Sequence, residues 1–168
     1  MIMINVFDLF DLCGFYSFFI VSGVILFTFY RRLALLFSYF VGFIVNFYIN
    51  HWLKTWIQDP RPDNPIPMLS VDDPKMYVGA EKYGFPSGHA QLVFYAISFL
   101  YFANKKITRT WIVCLFIGFL TIYQRLKYRR HTVEQLLAGT FIGIIIGWIT
   151  ITLYTIIHEH TGYTIAGQ

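Results

Sequence analysis

Residues 12–30 run without a single charged side chain, and four further apolar runs follow at about residues 33–53, 88–104, 108–126 and 132–157. In lipid a backbone finds no water to bond, so each of its N–H and C=O groups must pair within its own segment, which makes such runs helices. The first run begins near residue 6, and Arg31 and Arg32 close it. Composition agrees: 57% of the residues are hydrophobic and 13% are charged, against about 25% charged in soluble domains. The expectation is an all-α, polytopic transmembrane bundle of about five spans, forming a single domain over residues 1–168. A crossing needs about 20 residues of helix, so the third and fourth runs should continue as helix into their polar flanks.

The net charge of +4 comes without a basic run interleaved with aromatics, which excludes a nucleic-acid partner. Cys13 and Cys114 lie in separate apolar runs and read as buried thiols rather than as a disulfide or a metal site. The N-terminus carries Asp8 and Asp11 and no basic region, so the first span reads as a retained anchor, not a cleaved signal. Gly139, Gly143 and Gly147 recur every fourth residue in the last run, a stripe suited to close helix contact.

One long polar connection, residues 54–86, interrupts the pattern. It holds all six prolines and the acids Asp59, Asp63, Asp72, Asp73 and Glu81, and it reads as an ordered loop with short helical turns at most. Asp59, Asp63, Asp72 and Asp73 show no metal-ligand spacing and are expected to cap turns or face water. The loop ends in Pro86-Ser87-Gly88-His89, directly before an apolar run. Ser87 reads as an N-cap. The helix start behind it, with the Gly88 N–H, is a ready phosphate site, and His89 falls in its first turn.

Five crossings put the N-terminus, the 54–86 loop and the 125–131 turn on one side of the membrane. That side carries eight of the 13 Lys and Arg residues and the other side five. Lys54, Arg61 and Arg125 are themselves candidate ligands, so charge counting leaves the orientation open. The two short turns on the far side hold cations and no acids, which leans toward a cytoplasmic placement for them. Lys54, Arg61, Ser87, Gly88, His89, Arg125, His131 and Gln135 therefore meet at one membrane surface. Arg offers a planar fork of donors and Lys a point charge for phosphoryl oxygens. Singly, Lys54 could snorkel and Arg125 could cap a helix; together the cations call for an anion.

The order Lys54-x6-Arg61-Pro62, then Pro86-Ser87-Gly88-His89, then Arg125-x5-His131 resembles the three-part signature of the type 2 phosphatidic acid phosphatase superfamily. It departs from that signature at Gln124, usually serine, and at Gln135, usually aspartate. Gln135 and Gln91 resemble the dolichyl diphosphate phosphatase branch, and the family commonly has one crossing more. The resemblance implies that His131 attacks phosphorus and forms a phosphohistidine. His89 would protonate the leaving oxygen and then activate water. Lys54, Arg61, Ser87, Arg125 and the Gly88 N–H would hold the phosphoryl oxygens, with no metal or other cofactor. Arg129, Arg130 and the ligand cations are expected to keep His131 neutral. Its Nδ1 partner is Gln135 or, alternatively, Glu134. The substrate implied is an isoprenoid (polyprenyl or dolichyl) diphosphate, or else phosphatidate or another lipid monophosphate, with the site on the lumenal or extracytoplasmic face. A non-catalytic protein that binds lipid phosphates is the reading from a different class.

Overall fold

The computed structural model describes residues 6–68 and 77–160; Asp72, Asp73 and the side chain of Asp8 lie outside what it describes. It contains six α-helices: α1 (Val6–Phe15), α2 (Ser17–Phe29), α3 (Leu33–Ile57), α4 (Gly88–Asn104), α5 (Arg109–Lys127) and α6 (Val133–His160). A short 3-10 helix spans Gly79–Lys82. Among the described residues there is no strand; Pro60 and Tyr83 form an isolated antiparallel bridge.

α4 is the central element. It packs against α6 most extensively and also against α2, α3 and α5, and Val93 to Leu100 are all buried. Lipid tails are as apolar as leucine, so within a membrane close packing and hydrogen bonds, not water exclusion, hold such a bundle together. The glycine stripe is where that packing is tightest. A Cβ at Gly139 would meet the Ser87 carbonyl, one at Gly143 the Gln91 carbonyl, and one at Gly147 the Ser98 hydroxyl. α6 therefore lies along the backbone of α4 turn by turn. Outward faces carry Phe37, Phe40, Tyr48, Trp52 and Trp56 on α3 and Phe141 and Trp148 on α6, all exposed. Apolar surface on that scale belongs against lipid.

α3 and α6 are each long and apolar enough to cross a membrane; α1 and α2 would make a third span if taken together. The first apolar run is not one straight helix, because α1 and α2 meet at a 70° bend where Tyr16 leaves helical geometry. Asp11 explains where α1 goes. Its buried carboxylate accepts hydrogen bonds from Lys127 Nζ at 2.5 Å and Tyr128 Oη at 2.6 Å, drawing α1 across the end of α5. The fourth run continues into its polar flank, since α5 carries Gln124, Arg125 and Lys127 in helical conformation, whereas α4 stops at Asn104 and Lys105 turns into left-handed backbone. α4 has 17 residues and spans only about 26 Å at 1.5 Å per residue. Cys13 and Cys114 are free thiols. α6 runs on to His160, with His158 and His160 in its last turn.

The polar connection is pinned at both ends. Gly84 N–H donates to the Asp59 carbonyl at 2.8 Å, and Ile66 N–H donates to the Tyr128 carbonyl at 3.1 Å. The first bond brings the start and the end of the loop together, and the second ties its middle to the end of α5.

Candidate active site

Four helix ends meet at one end of the bundle, and each delivers part of the predicted constellation. Lys54 lies in the last turn of α3 and Arg125 in the last turn of α5. Ser87 caps α4, with Gly88 and His89 opening it; the Ser87 hydroxyl accepts from Ala90 N–H at 3.5 Å. His131 sits in the turn before α6 and Gln135 in the first turn of that helix. Lys54, Ser87, Arg125, His131 and Gln135 are all buried. Ser87 N–H donates to the Gln135 carbonyl at 3.0 Å, so the phosphate-loop sequence and the His131 turn are joined through backbone.

Hydrogen bonding fixes the state of His131. Its Nδ1 lies 2.9 Å from the Gly84 carbonyl and 3.1 Å from Gln135 Oε1. Both are acceptors, so Nδ1 carries the proton. Nε2 keeps its lone pair, and Arg61 Nη1 approaches it at 3.1 Å. Burial holds this imidazole well below its ordinary pKa of 6.5; the charges of Arg61, Arg125 and Lys54 act in the same sense, and the Gln135 hydrogen bond opposes them. The neutral form was expected, but burial is its first cause, and Arg129 is exposed to solvent. Glu134 is also exposed; Gln135, not Glu134, meets the ring. His89 Nε2 in turn is contacted by Arg125 Nη2.

Arg61 is anchored rather than free-swinging. Its Nε and Nη2 donate to the Glu81 carbonyl at 2.9 and 2.7 Å, and its Nη1 donates to the Arg130 carbonyl at 3.0 Å. The Glu81 carboxylate lies 2.7 Å from Lys54 Nζ and 3.5 Å from Arg61 Nη2. An acid of this chain thus stands between two of the cations predicted to hold an anion.

Several contributors carried no readable signal. Phe15 of α1 packs under the site, 5.1 Å from the Arg125 guanidinium and 5.2 Å from the His89 ring. Glu81 and the Gly84 carbonyl come from the loop. Asp59 does not simply cap a turn or face water: its carboxylate accepts a hydrogen bond from Gln135 Nε2 at 2.5 Å. The Gln91 side chain hydrogen-bonds with Asn46 and Asn50 rather than with either histidine. It is fully buried, donates to Asn46 and accepts from Asn50 Nδ2 at 2.8 Å, while Asn50 also donates to the Pro86 carbonyl at 3.2 Å. That buried amide chain clamps the start of α4 to α3.

A family model of the PAP2 superfamily matches residues 33–158, from the start of α3 to near the end of α6. The chain belongs to the PAP2 superfamily. Members of that superfamily are phosphatases, and the matched range contains every residue of the site except Phe15. Comparison with curated proteins and with solved structures returns no match.

Proposed function

We propose that this PAP2 protein is a metal-independent membrane phosphatase that converts an isoprenoid (polyprenyl or dolichyl) diphosphate to the monophosphate. The observation that carries the reading is the orientation of His131, with Nδ1–H held by two oxygens and the Nε2 lone pair turned toward Arg61. In the first step Nε2 bonds to the terminal phosphorus, and the bond from that phosphorus to the bridging oxygen breaks. His89 gives that oxygen its proton. In the second step His89 takes a proton from water, the water oxygen bonds to phosphorus, and the P–N bond breaks to release inorganic phosphate. Lys54, Arg61, Ser87, Arg125 and the Gly88 N–H hold the phosphoryl oxygens, and electrostatic stabilisation of this kind is often the largest catalytic contribution. A bound phosphate would also draw the Arg125 donor from His89 Nε2 and leave that nitrogen able to carry a proton.

Five crossings follow in this reading: the bent α1–α2 pair, α3, α4, α5 and α6. α4 is short for a span, but its neighbours enclose it and it need not meet lipid along its length. The resemblance to the family and the acid-free cationic turns on the far side support a site on the lumenal or extracytoplasmic face. The diphosphate preference rests on the likeness of Gln135 and Gln91 to one branch of the family.

The test is phosphate release from farnesyl and polyprenyl diphosphate by the purified chain in detergent with EDTA present. Release that His131→Ala abolishes, with a phosphohistidine trapped by alkaline SDS quench in wild type and absent from the same variant, is the expected result. Preference for phosphatidate over the diphosphates would move the substrate assignment. Binding of these lipids without release would end the enzyme reading.

A further inference from the structure

Family members usually place a carboxylate where this chain has Gln135, and a neutral amide cannot offset the positive charge that develops on an imidazole attacking phosphorus. Both ends of the Gln135 amide are nevertheless committed. Its Oε1 accepts from Thr132 N–H at 3.2 Å and from His131 Nδ1 at 3.1 Å. Its Nε2 donates to the Pro60 carbonyl at 2.8 Å and to Asp59 Oδ2 at 2.5 Å. A backbone N–H can only donate and a backbone carbonyl can only accept, so these partners fix which end of the amide is oxygen. Gln135 is 1% exposed. A Cβ at Gly84 would collide with its amide group, so the Gly84 backbone packs directly against the side chain. The Asp59 carbonyl meanwhile accepts from Gly84 N–H at 2.8 Å, and the Gly84 carbonyl faces His131 Nδ1 at 2.9 Å. Asp59 therefore reaches the nucleophile's back side by two routes.

We propose that Asp59 is a positioning residue for phosphoryl transfer, lending its carboxylate charge to His131 through the Gln135 amide. The proposal rests on the phosphatase reading above and deepens it. An amide that donates to a carboxylate at one end is a stronger acceptor at the other, because hydrogen bonds in series polarise one another and charge-assisted ones are the strongest. The chain thus supplies the negative charge from the loop ahead of Arg61 and not from α6.

The experiment compares kcat and KM for farnesyl diphosphate in wild type, D59N, D59E, Q135D and Q135D/D59N, all full-length in one detergent. Thermal unfolding of each variant reports on folding. D59N keeps the shape and an acceptor for Gln135 Nε2 but removes the charge. It should lower kcat on the order of 10- to 100-fold, by analogy with the cost of removing carboxylates that stand behind metal-bound histidines, with KM nearly unchanged. D59E, which restores the charge, should recover more of kcat than D59N retains. In Q135D the ring meets a carboxylate directly and Asp59 becomes a like-charged neighbour, so adding D59N there should leave kcat unchanged or raise it. Equal losses from D59N in both backgrounds, an effect on KM alone, or no effect would overturn the proposal and leave Asp59 a loop-bracing residue. A wild type inactive on farnesyl diphosphate, polyprenyl diphosphate and phosphatidate alike would overturn the phosphatase reading itself, which separates the two failures.

Discussion

Gly143→Ala tests the contact on which the site's framework rests. In a helix interior alanine is favoured over glycine by about 1 kcal/mol, so the substitution should stabilise α6 if nothing else changed. The new methyl, however, would overlap the Gln91 carbonyl and sit 2.9 Å from the Tyr95 nitrogen and 3.1 Å from the Gln91 carbonyl carbon. All three atoms belong to the backbone of α4 and cannot rotate away. Overpacking a tight contact costs about 1–3 kcal/mol or more, and rigid opponents put this case at the upper end. Less the propensity gain, the net loss is about 2 kcal/mol. Gly23 of α2 is the control, since a Cβ there meets nothing within 4 Å, and Gly23→Ala should gain up to about 1 kcal/mol. The two variants should then differ by roughly 3 kcal/mol, or about 6–12 °C in unfolding midpoint for a chain of this size. Fluorescence-monitored thermal unfolding in a single detergent reads this directly. A Gly143→Ala midpoint equal to or above that of Gly23→Ala would refute the α4–α6 geometry and the placement of Ser87 beside Gln135 with it.

His131 gives a pH dependence of defined sign. Its folded pKa lies well below 6.5, so the unfolded chain binds the proton first. The stability contributed is complete above about pH 6.5 and lost as pH falls, at up to about 1.4 kcal/mol per pH unit down to the folded pKa. Unfolding midpoints between pH 7.5 and 5 should fall less for His131→Asn than for wild type. Glu81→Gln removes the acid now paired with Lys54 and Arg61, and inorganic phosphate should inhibit that variant at several-fold lower concentration in the release assay. Asn50→Ala strands Gln91 Oε1 and the Pro86 carbonyl without a donor; it should cost roughly 1–3 kcal/mol by thermal unfolding.

What could be read in advance was local or ordered along the chain. Ser87 before Gly88 announces a helix start, and Lys54, Arg125 and His131 each lie at a helix end that hydropathy alone locates. The stripe at Gly139, Gly143 and Gly147 identifies a contact face, though not that α4 is its partner. The unread parts join residues far apart in sequence. Asp59 meets Gln135 across 76 positions, and an acid among several in a proline-rich loop offers no sign of which one turns inward. Phe15 is one aromatic among many. The bend at Tyr16 has no proline to mark it and follows from Asp11 reaching Lys127 and Tyr128, a tertiary pull that outweighs continuous hydropathy.

Glu81 gives the resting protein a counterion of its own. With its side chain 56% exposed and its carboxylate bonded to buried Lys54, it spares the site bare cations held away from water, a state whose desolvation cost is several kcal/mol per ion. In the proposed phosphatase an arriving phosphoryl group would exchange one anion for another, and the returning carboxylate would help expel the inorganic phosphate left behind. Substrate capture would be somewhat weaker for it, and the site would escape being clogged by its own product.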